Sequence, residues 1–261
     1  MKKSALIPLL LLLFLSAVAQ DKGPFLKKML IEGNDTLLYR ILYPMNYKES
    51  KKYPLILFLH GAGERGNDNE AQLTWGANLF LDSANRKKFP SFVIFPQCPK
   101  DSSWAAIVRG ANRSDSLGGF IIPAKEVATR PMQLVMELVN GLVIAGKVDR
   151  KRLYVGGLSM GGFGTFDILW RMPKFFAAAF PICGGGNPDK VSSYAKNYPI
   201  WVFHGGSDPV VPVGNSHLMV RVLKEAGAKV KYSEYPGVGH DSWKNAFAEP
   251  DLLPWVFSNK K

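Results

Sequence analysis

The chain has 261 residues, 47% of them hydrophobic, and a formal net charge of +12 at pH 7. This length and apolar content suit one large domain with a sizeable core, and no repeat, low-complexity tract or linker divides it. The basic residues lie in small scattered clusters without interleaved aromatic residues, so the charge predicts a solvated surface and argues against a nucleic-acid partner.

The first 19 residues have the pattern of a secretory signal peptide. A basic start at Met1 to Lys3 precedes an apolar stretch from Leu6 to Val18, and small residues at 17 and 19 define a cleavage site. The stretch is too short for an ordinary membrane span, and no cysteine follows it to carry a lipid. We therefore expect a mature domain of residues 20–261 that is secreted or periplasmic and has no stable membrane anchor. The oligomeric state is left open.

Beyond the signal peptide, strand-like and helix-like patterns alternate along the chain. An opening hairpin is predicted at residues 28–32 and 37–43, and further strands at 54–59, 92–95, 153–155, 177–182, 200–203 and 229–235. Helices are predicted at residues 70–82, 131–145, 160–172, 216–226 and from 241 to 247, and a long loop at the substrate wall at 102–130. This alternation predicts the α/β class: a mainly parallel, doubly wound sheet with helices on both faces and a site at the carboxyl ends of the strands.

The segment at residues 157–161, GLSMG, stands between a predicted strand and a predicted helix. Glycines flank its serine because no side chain fits on either side of so sharp a turn. Such a turn exposes the Ser159 hydroxyl above the sheet and directs the amide of Met160 toward charge that develops on a substrate oxygen. The pattern predicts a nucleophile at Ser159 and an oxyanion-hole donor at Met160. The alternative is a glycine-rich turn with a structural serine.

A serine nucleophile needs a base near neutral pH, and imidazole is the usual one. Of the four histidines, His60 and His204 end strands just before glycines, where a histidine more often braces a loop. His217 lies on a predicted helix. His240 follows the last strand in a glycine-rich loop, and the chain order of serine, acid and histidine favours it as the base.

The base in turn needs a carboxylate that fixes its tautomer and stabilises its charged form. Asp208 comes shortly after a strand end and in the right chain order, so we predict it as the acid. Asp68, Asp189 and Asp241 are alternatives. Asp241 adjoins His240 and is poorly placed to approach its ring, which makes Asp189 the main competitor.

A second oxyanion-hole amide is expected from the loop at residues 60–66, HGAGERG, which follows the predicted strand at 54–59. Ala62 is the first choice for this second amide and Gly63 is the second choice. If Ala62 supplies the amide, Gly63 is predicted to contact the substrate as part of the same loop. The alternative is an ordinary tight turn.

Three tryptophans lie in segments expected to rim the pocket, namely Trp75, Trp104 and Trp243. Their indole rings are predicted to stack on a sugar or a phenolic acyl group. Core packing is the alternative for each of them.

Four segments together resemble the α/β-hydrolase superfamily: FLHGAGERG, YVGGLSMGGFGTF, FHGGSDPVVPV and GVGHDSW. The resemblance is narrower to its secreted predicted-peptidase/esterase branch, which is similar to feruloyl esterases, acetylxylan esterases and polyhydroxybutyrate-depolymerase-like enzymes. It implies Ser159 as nucleophile, Asp208 as acid, His240 as base, and Ala62 with Met160 as the oxyanion hole.

The resemblance implies a single catalytic domain that hydrolyses carboxylic esters, with acetyl or feruloyl esters of plant polysaccharides as expected substrates. No metal or other cofactor is expected, since no cluster of histidine, cysteine and aspartate has ligand spacing. One rival is a prolyl-oligopeptidase-like peptidase, although the chain has no room for the propeller domain of those enzymes. Another is a non-catalytic carbohydrate-binding protein on a hydrolase scaffold.

In the sheet order that the resemblance implies, the strands preceding Cys98 and Cys183 lie three steps apart, about 14 Å at roughly 4.8 Å per step. A disulfide needs Cα atoms within about 7 Å. We therefore predict two free, mostly buried thiols.

Overall fold

The computed structural model describes residues 23–110 and 116–261. The predicted signal peptide at residues 1–19 lies outside these ranges. The strands are β1 Phe25–Glu32, β2 Asp35–Leu42, β3 Tyr53–Leu59, β4 Phe92–Pro96, β5 Val108–Arg109, β6 Phe120–Ile121, β7 Val148–Leu158, β8 Ala178–Ile182, β9 Ile200–Gly205 and β10 Val230–Tyr235. The helices are α1 Ala77–Leu81, α2 Ser83–Lys88, α3 Arg130–Ile144, α4 Met160–Arg171, α5 Gly214–Glu225, α6 Trp243–Ala248 and α7 Leu252–Ser258. Within the described ranges, none of the helices has the length and apolar character needed to cross a bilayer.

Eight strands form one sheet in the order β1-β2-β4-β3-β7-β8-β9-β10. The opening hairpin pairs antiparallel, as does β2 with β4, and every other neighbouring pair is parallel. The carboxyl ends of the parallel strands therefore meet at one edge of the sheet. The predicted α/β class and mainly parallel sheet are confirmed.

Both faces of the sheet are buried, because successive residues of a strand point to opposite sides. All seven residues of β3 are buried. Leu57 belongs to the core cluster that contains Val135 of α3 and Leu169 of α4, whereas Phe58 belongs to the cluster on the other face with Val256 of α7. Burying a leucine or phenylalanine side chain contributes about 1.5–3 kcal/mol, so the continuous apolar run at β3 is stable only under two helical layers. This is the predicted doubly wound arrangement.

The predicted helix at residues 70–82 is wrong in detail. A 3₁₀ turn at Ala71–Leu73 and helix α1 replace it, and they are separated by Gly76 with a φ of 84°. A side chain is disfavoured at that φ, and a Cβ there would lie 3.1 Å from the ring of Phe247. Helix α2 follows directly, capped by the Asp82 carboxylate, which accepts a hydrogen bond from the Asn85 amide at 2.9 Å.

Two further segments differ from expectation. The predicted loop at 102–130 carries the short antiparallel pair β5 and β6. The terminal helix is two helices, because α6 ends before Glu249, whose backbone is extended, and α7 begins at Leu252.

The cysteine prediction is confirmed. Cys98 and Cys183 are both free and buried. They follow β4 and β8, which the sheet order separates by β3 and β7.

Candidate active site

The turn between β7 and α4 holds Ser159 with a φ of 54° and a ψ of −117°. This backbone conformation costs a non-glycine residue about 1–3 kcal/mol and persists only where its surroundings fix it. The Ser159 amide donates to the carbonyl of Ile182 at 2.9 Å, and the Ser159 carbonyl accepts from the amide of Phe163 at 3.1 Å. A Cβ at Gly161 would lie 1.9 Å from the backbone oxygen of Leu59, so the sharp turn requires glycine there.

The structure brings Ser159, Asp208 and His240 together from three separate strand ends. Nε2 of His240 lies 2.9 Å from Oγ of Ser159, and Nδ1 lies 2.7 Å from Oδ2 of Asp208. A carboxylate accepts hydrogen bonds, so Nδ1 carries the proton and Nε2 is left free to accept the serine proton. The His240 side chain is 20% exposed and that of Asp208 is fully buried. This arrangement can activate a hydroxyl for attack on a carbonyl carbon.

The Asp208 carboxylate is anchored on every side. Its Oδ1 accepts from the amides of Val210 at 2.8 Å and Val211 at 2.9 Å. Burial raises the pKa of Asp208, but hydrogen bonds from His204, His240 and Val211 outweigh it and hold that pKa well below its usual range. The acid is therefore ionised at neutral pH and stabilises a positive charge on the His240 ring.

His204 is a second histidine at the acid. Its ring is fully buried, and Nε2 lies 2.8 Å from the carbonyl of Val211 and 3.3 Å from Oδ2 of Asp208. Nδ1 lies 2.7 Å from the hydroxyl of Ser216. His204 braces a loop, as its position before a glycine indicates, and that loop is the one that holds the acid. The contact with Asp208 was not predicted, although the spacing of four residues after a strand end was a usable signal.

The alternative histidine and aspartates lie elsewhere and are not in contact with Ser159. Asp68 accepts a hydrogen bond from Gln97, His217 lies at ion-pair distance from Glu234, and Asp241 pairs with Lys244. Asp189 is exposed.

A 3₁₀ turn at Ala62–Glu64 follows β3, and Gly61 just before it is close to the nucleophile, since an ideal Cβ at Gly61 would be 3.6 Å from Cβ of Ser159. His60 fixes this loop: its Nδ1 donates to the carbonyl of Gly61 at 2.6 Å and its Nε2 accepts from the amide of Cys98 at 2.9 Å. Burial lowers the pKa of His60 to about 4, so the ring is neutral at pH 7 and keeps this donor and acceptor pattern.

The amides of Ala62 and Met160 are available for a substrate oxygen. Within residues 23–110 and 116–261, no hydrogen bond engages either amide. Met160 is the first residue of α4, where backbone N–H groups have no intrahelical partner and the helix dipole is positive. Ala62 and Gly63 are both exposed, and the choice of Ala62 over Gly63 as the second donor stays a prediction.

The last residue of the 3₁₀ turn, Glu64, is buried, and its carboxyl group was not predicted to be part of the site. An ideal Cβ at Gly61 would be 3.0 Å from Oε2 of Glu64 and 3.6 Å from Cβ of Ser159, so Glu64 is close to the nucleophile. Burial raises the pKa of Glu64, and hydrogen bonds from the Gly61 amide and the Trp75 indole act in the opposite direction. No sequence signal separates this glutamate from a surface residue.

Trp75 and Trp243 lie beside the site and Trp104 does not, but Trp243 is itself buried in a core cluster, so core packing holds for Trp243 as well. The ring of Trp243 meets the ring of His240 edge-on at 5.3 Å, and the half-buried Trp75 lies 5.7 Å from Trp243. The prediction that Trp104 lies at the rim of the pocket is wrong. It is fully buried, and its indole N–H donates to the carbonyl of His60 at 3.0 Å. Trp104 thus supports the oxyanion loop from below and offers no surface to a substrate.

Cys183, Asp208 and His240 offer sulfur, oxygen and nitrogen atoms within 4.8 Å of one another. The carboxylate and the ring nitrogen are already hydrogen-bonded to each other, so the serine relay accounts for this cluster. The thiol lies fully buried beneath that pair, and burial raises its pKa, which keeps it protonated.

Comparison with known proteins identifies the family of this chain. The phospholipase/carboxylesterase family matches residues 45–249. The chain is 41% identical over 210 residues to acyl-protein thioesterase 1 of Gibberella zeae, covering 72% of this chain and 83% of that protein. A thermostable esterase of known crystal structure superposes with a TM-score of 0.79 at 36% identity over 91% of this chain, which spans 64% of that esterase.

A ferulic acid esterase from Anaeromyces mucronatus, solved with ferulic acid, shares the fold at a TM-score of 0.63 and 15% identity, covering 88% of this chain and 89% of that one. The family match covers most of the chain, and the sheet order and serine elbow fit the α/β-hydrolase fold. This chain belongs to the phospholipase/carboxylesterase family of α/β-hydrolases and is a serine ester hydrolase.

Proposed function

We propose that this protein is a secreted or periplasmic esterase that removes acetyl or feruloyl groups from plant polysaccharides through Ser159, His240 and Asp208. The observation that carries the catalytic assignment is the continuous relay of 2.9 Å from serine to histidine and 2.7 Å from histidine to aspartate. The mature enzyme comprises residues 20–261.

The reaction proceeds through an acyl-enzyme. Oγ of Ser159 attacks the ester carbonyl carbon while Nε2 of His240 takes the hydroxyl proton. The amides of Ala62 and Met160 donate to the resulting oxyanion, and Asp208 stabilises the imidazolium. The C–O bond to the alcohol breaks as His240 returns the proton to the leaving oxygen. Water then attacks the acyl-enzyme with His240 again as base, which releases the acid and restores Ser159.

The aromatic wall beside the base supports a planar or small acyl group. The buried Trp243 is packed against the ring of His240, and the half-buried Trp75 packs against Trp243 and hydrogen-bonds to Glu64 of the oxyanion loop. Aromatic rings pack favourably in edge-to-face or offset geometry, so a phenolic acyl group gains contact there. The shared fold with a ferulic acid esterase is consistent with this choice.

A thioester substrate is the second candidate, because the relative from Gibberella zeae is named an acyl-protein thioesterase. The same relay attacks a thioester, and the leaving thiolate needs less help from an acid than an alkoxide does. A peptide substrate demands more, since His240 must protonate an amine leaving group.

A substrate panel separates these candidates. We expect turnover of p-nitrophenyl acetate and methyl ferulate, slower turnover of a palmitoyl thioester and none of a peptide anilide. Ser159→Ala is expected to lower kcat by about 10⁴-fold or more and to abolish fluorophosphonate labelling, whereas the control Ser193→Ala, which alters an exposed hydroxyl, is expected to leave both unchanged. Turnover of the anilide alone contradicts the esterase assignment. Full activity of Ser159→Ala excludes Ser159 as the nucleophile, and a parent protein that neither turns over the esters nor reacts with fluorophosphonate supports the carbohydrate-binding alternative.

Export is tested separately. Expression of the full chain in a secreting host, followed by amino-terminal sequencing of the exported protein, is expected to give Gln20 as the first residue. Retention in the cell with Met1 intact contradicts this part of the proposal.

A further inference from the structure

We propose that a lysine-ringed cavity at the amino ends of β8, β9 and β10 binds an acidic polysaccharide, with carboxylate groups along a glycan chain as the recognised chemistry. The identity of the ligand as a glycan rests on the proposed esterase function. The anion site itself rests on the geometry and charge described below.

The cavity lies at the opposite edge of the sheet from the catalytic relay. Ala177, Pro199 and Val230, at the amino ends of three parallel strands, line it. Its volume is about 790 Å³, within the range of about 300–1,000 Å³ that holds ligands in proteins. Strand β9 has 6 residues that rise about 3.3 Å each, so the cavity and the relay lie roughly 20 Å apart. A polymer is the kind of ligand that can reach both places.

The cavity is lined by five exposed lysines and by no acidic residue. The lysines are Lys196, Lys229, Lys231, Lys260 and Lys261. In the described part of the chain, none of the five forms an ion pair with an acidic side chain. Asp149 interacts with Lys260 at longer range, which helps to lower the pKa of that aspartate. The lining therefore carries five lysine side chains and, in the described part of the chain, no acidic side chain at ion-pair distance from them.

Five lysine side chains line one cavity, so an anion bound in it is attracted by several of them at once. The pKa of Lys261 is lowered by burial and by the nearby charge of Arg150. Nζ of Lys261 donates to two backbone carbonyls, of Lys174 and Phe175, instead of an acid. Like charges gathered in a concave surface concentrate the field and attract anionic ligands.

An aromatic surface distinguishes a sugar from a bare anion. The half-buried Trp255 lines the cavity, and its ring packs edge-on against Trp201 at 5.4 Å. Nζ of Lys231 lies 3.3 Å from the centroid of the Trp201 ring, which holds that ammonium at the rim. Indole faces pack against apolar sugar faces, and lysine ammonium groups act as separate point charges that suit carboxylates spaced along a chain.

Binding is measured on the Ser159→Ala full chain, so that hydrolysis does not alter the ligand. The probe is polygalacturonate, and its fully methyl-esterified form is the uncharged ligand with the same backbone. We expect saturable binding to polygalacturonate at low salt, weaker binding at 0.5 M NaCl because salt screens exposed charges, and far weaker binding to the esterified form.

The decisive variant is Lys196→Gln/Lys229→Gln/Lys231→Gln, compared with Lys51→Gln/Lys52→Gln/Lys87→Gln, which removes the same charge from exposed lysines elsewhere. Each exposed cation contributes about a two- to threefold factor in affinity, so the first triple variant is expected to bind about 8- to 27-fold more weakly and the second about as well as the parent. Equal weakening in both variants, or no binding by the parent, overturns the proposal.

Two further measurements keep the result interpretable. If the first triple variant has a lowered melting temperature, the single variant Lys229→Gln gives the same test at about two- to threefold. With Ser159 intact, the triple variant is expected to hydrolyse p-nitrophenyl acetate at the parent rate. A failure of binding therefore leaves the esterase proposal standing, and a lack of esterase activity leaves the binding result standing.

Discussion

Replacing Asp208 by asparagine tests whether this carboxylate sets the proton on His240. The backbone decides how an asparagine sits there, because the amides of Val210 and Val211 both donate to Oδ1. The side-chain oxygen must accept those two bonds, which puts the new NH₂ group where Oδ2 was. That NH₂ group then faces Nδ1 of His240 across 2.7 Å and can only donate to it.

The consequence is the wrong tautomer of the base. With Nδ1 as acceptor, the ring proton moves to Nε2, which lies 2.9 Å from Oγ of Ser159 and can no longer take the serine proton. The same replacement in a Ser-His-Asp triad lowers kcat by about 10⁴-fold, which corresponds to about 5.5 kcal/mol in the activation barrier. The NH₂ group also meets Nε2 of His204, so we expect a loss of about 1–3 kcal/mol in stability.

The assay is kcat for p-nitrophenyl acetate at pH 7.5, with the thermal transition recorded to show that the variant is folded. Asp189→Asn is the matched control, because Asp189 is the exposed aspartate that competed for the same role, and it is expected to retain full activity. A folded Asp208→Asn protein with a kcat within tenfold of the parent would refute this view of the relay.

Three other substitutions test the supports of the site. Glu64→Gln removes a buried acid whose pKa is raised, and this acid costs the parent stability as pH rises above about 4.3 because it must then ionise in the folded state. The free energy of unfolding, measured with urea at pH 4.5 and 7.5, is expected to increase in the variant relative to the parent at the higher pH. A difference between variant and parent that is the same at both pH values contradicts this. Trp104→Phe leaves the His60 carbonyl without its donor, and we expect about 1–3 kcal/mol lower stability with a kcat decrease larger than any change in KM. Gly161→Ala places a methyl group 1.9 Å from the oxygen of Leu59, and a melting temperature lowered by roughly 10 °C with loss of activity is expected; a parent-like melting curve contradicts the close approach.

The layered sheet could be predicted from the sequence because its signals are local. The apolar run of β3 and the glycine-flanked turn at Ser159 each report a backbone geometry that neighbouring residues determine. The broken segment around Gly76 could not be predicted in the same way, since its left-handed turn depends on contact with the distant Phe247. Helical spacing of apolar residues on either side of that glycine imitates a single helix.

The site residues also divide into those that local sequence predicts and those that depend on distant contacts. The three members of the relay follow strand ends, and chain order was enough to select them before their contacts were known. Trp104 and Glu64 were misjudged or missed because their environment depends on how remote loops pack. Trp104 packs against the ring of His60, and the buried Glu64 carboxyl group is hydrogen-bonded by Gly61 and by the indole of Trp75.

The two strand-end histidines, His60 and His204, each hold one loop of the active site in the same way. His60 holds the oxyanion loop and His204 holds the acid loop, each through both ring nitrogens. A glycine follows each histidine and allows close approach: a Cβ at Gly205 would lie 2.2 Å from the backbone oxygen of Gly239, next to His240, and a Cβ at Gly61 would lie 2.8 Å from Leu158 Cδ1. The two His-Gly pairs therefore hold the oxyanion loop close to the nucleophile strand and the acid loop close to the base, because the histidine hydrogen-bonds its loop and the glycine permits the close approach.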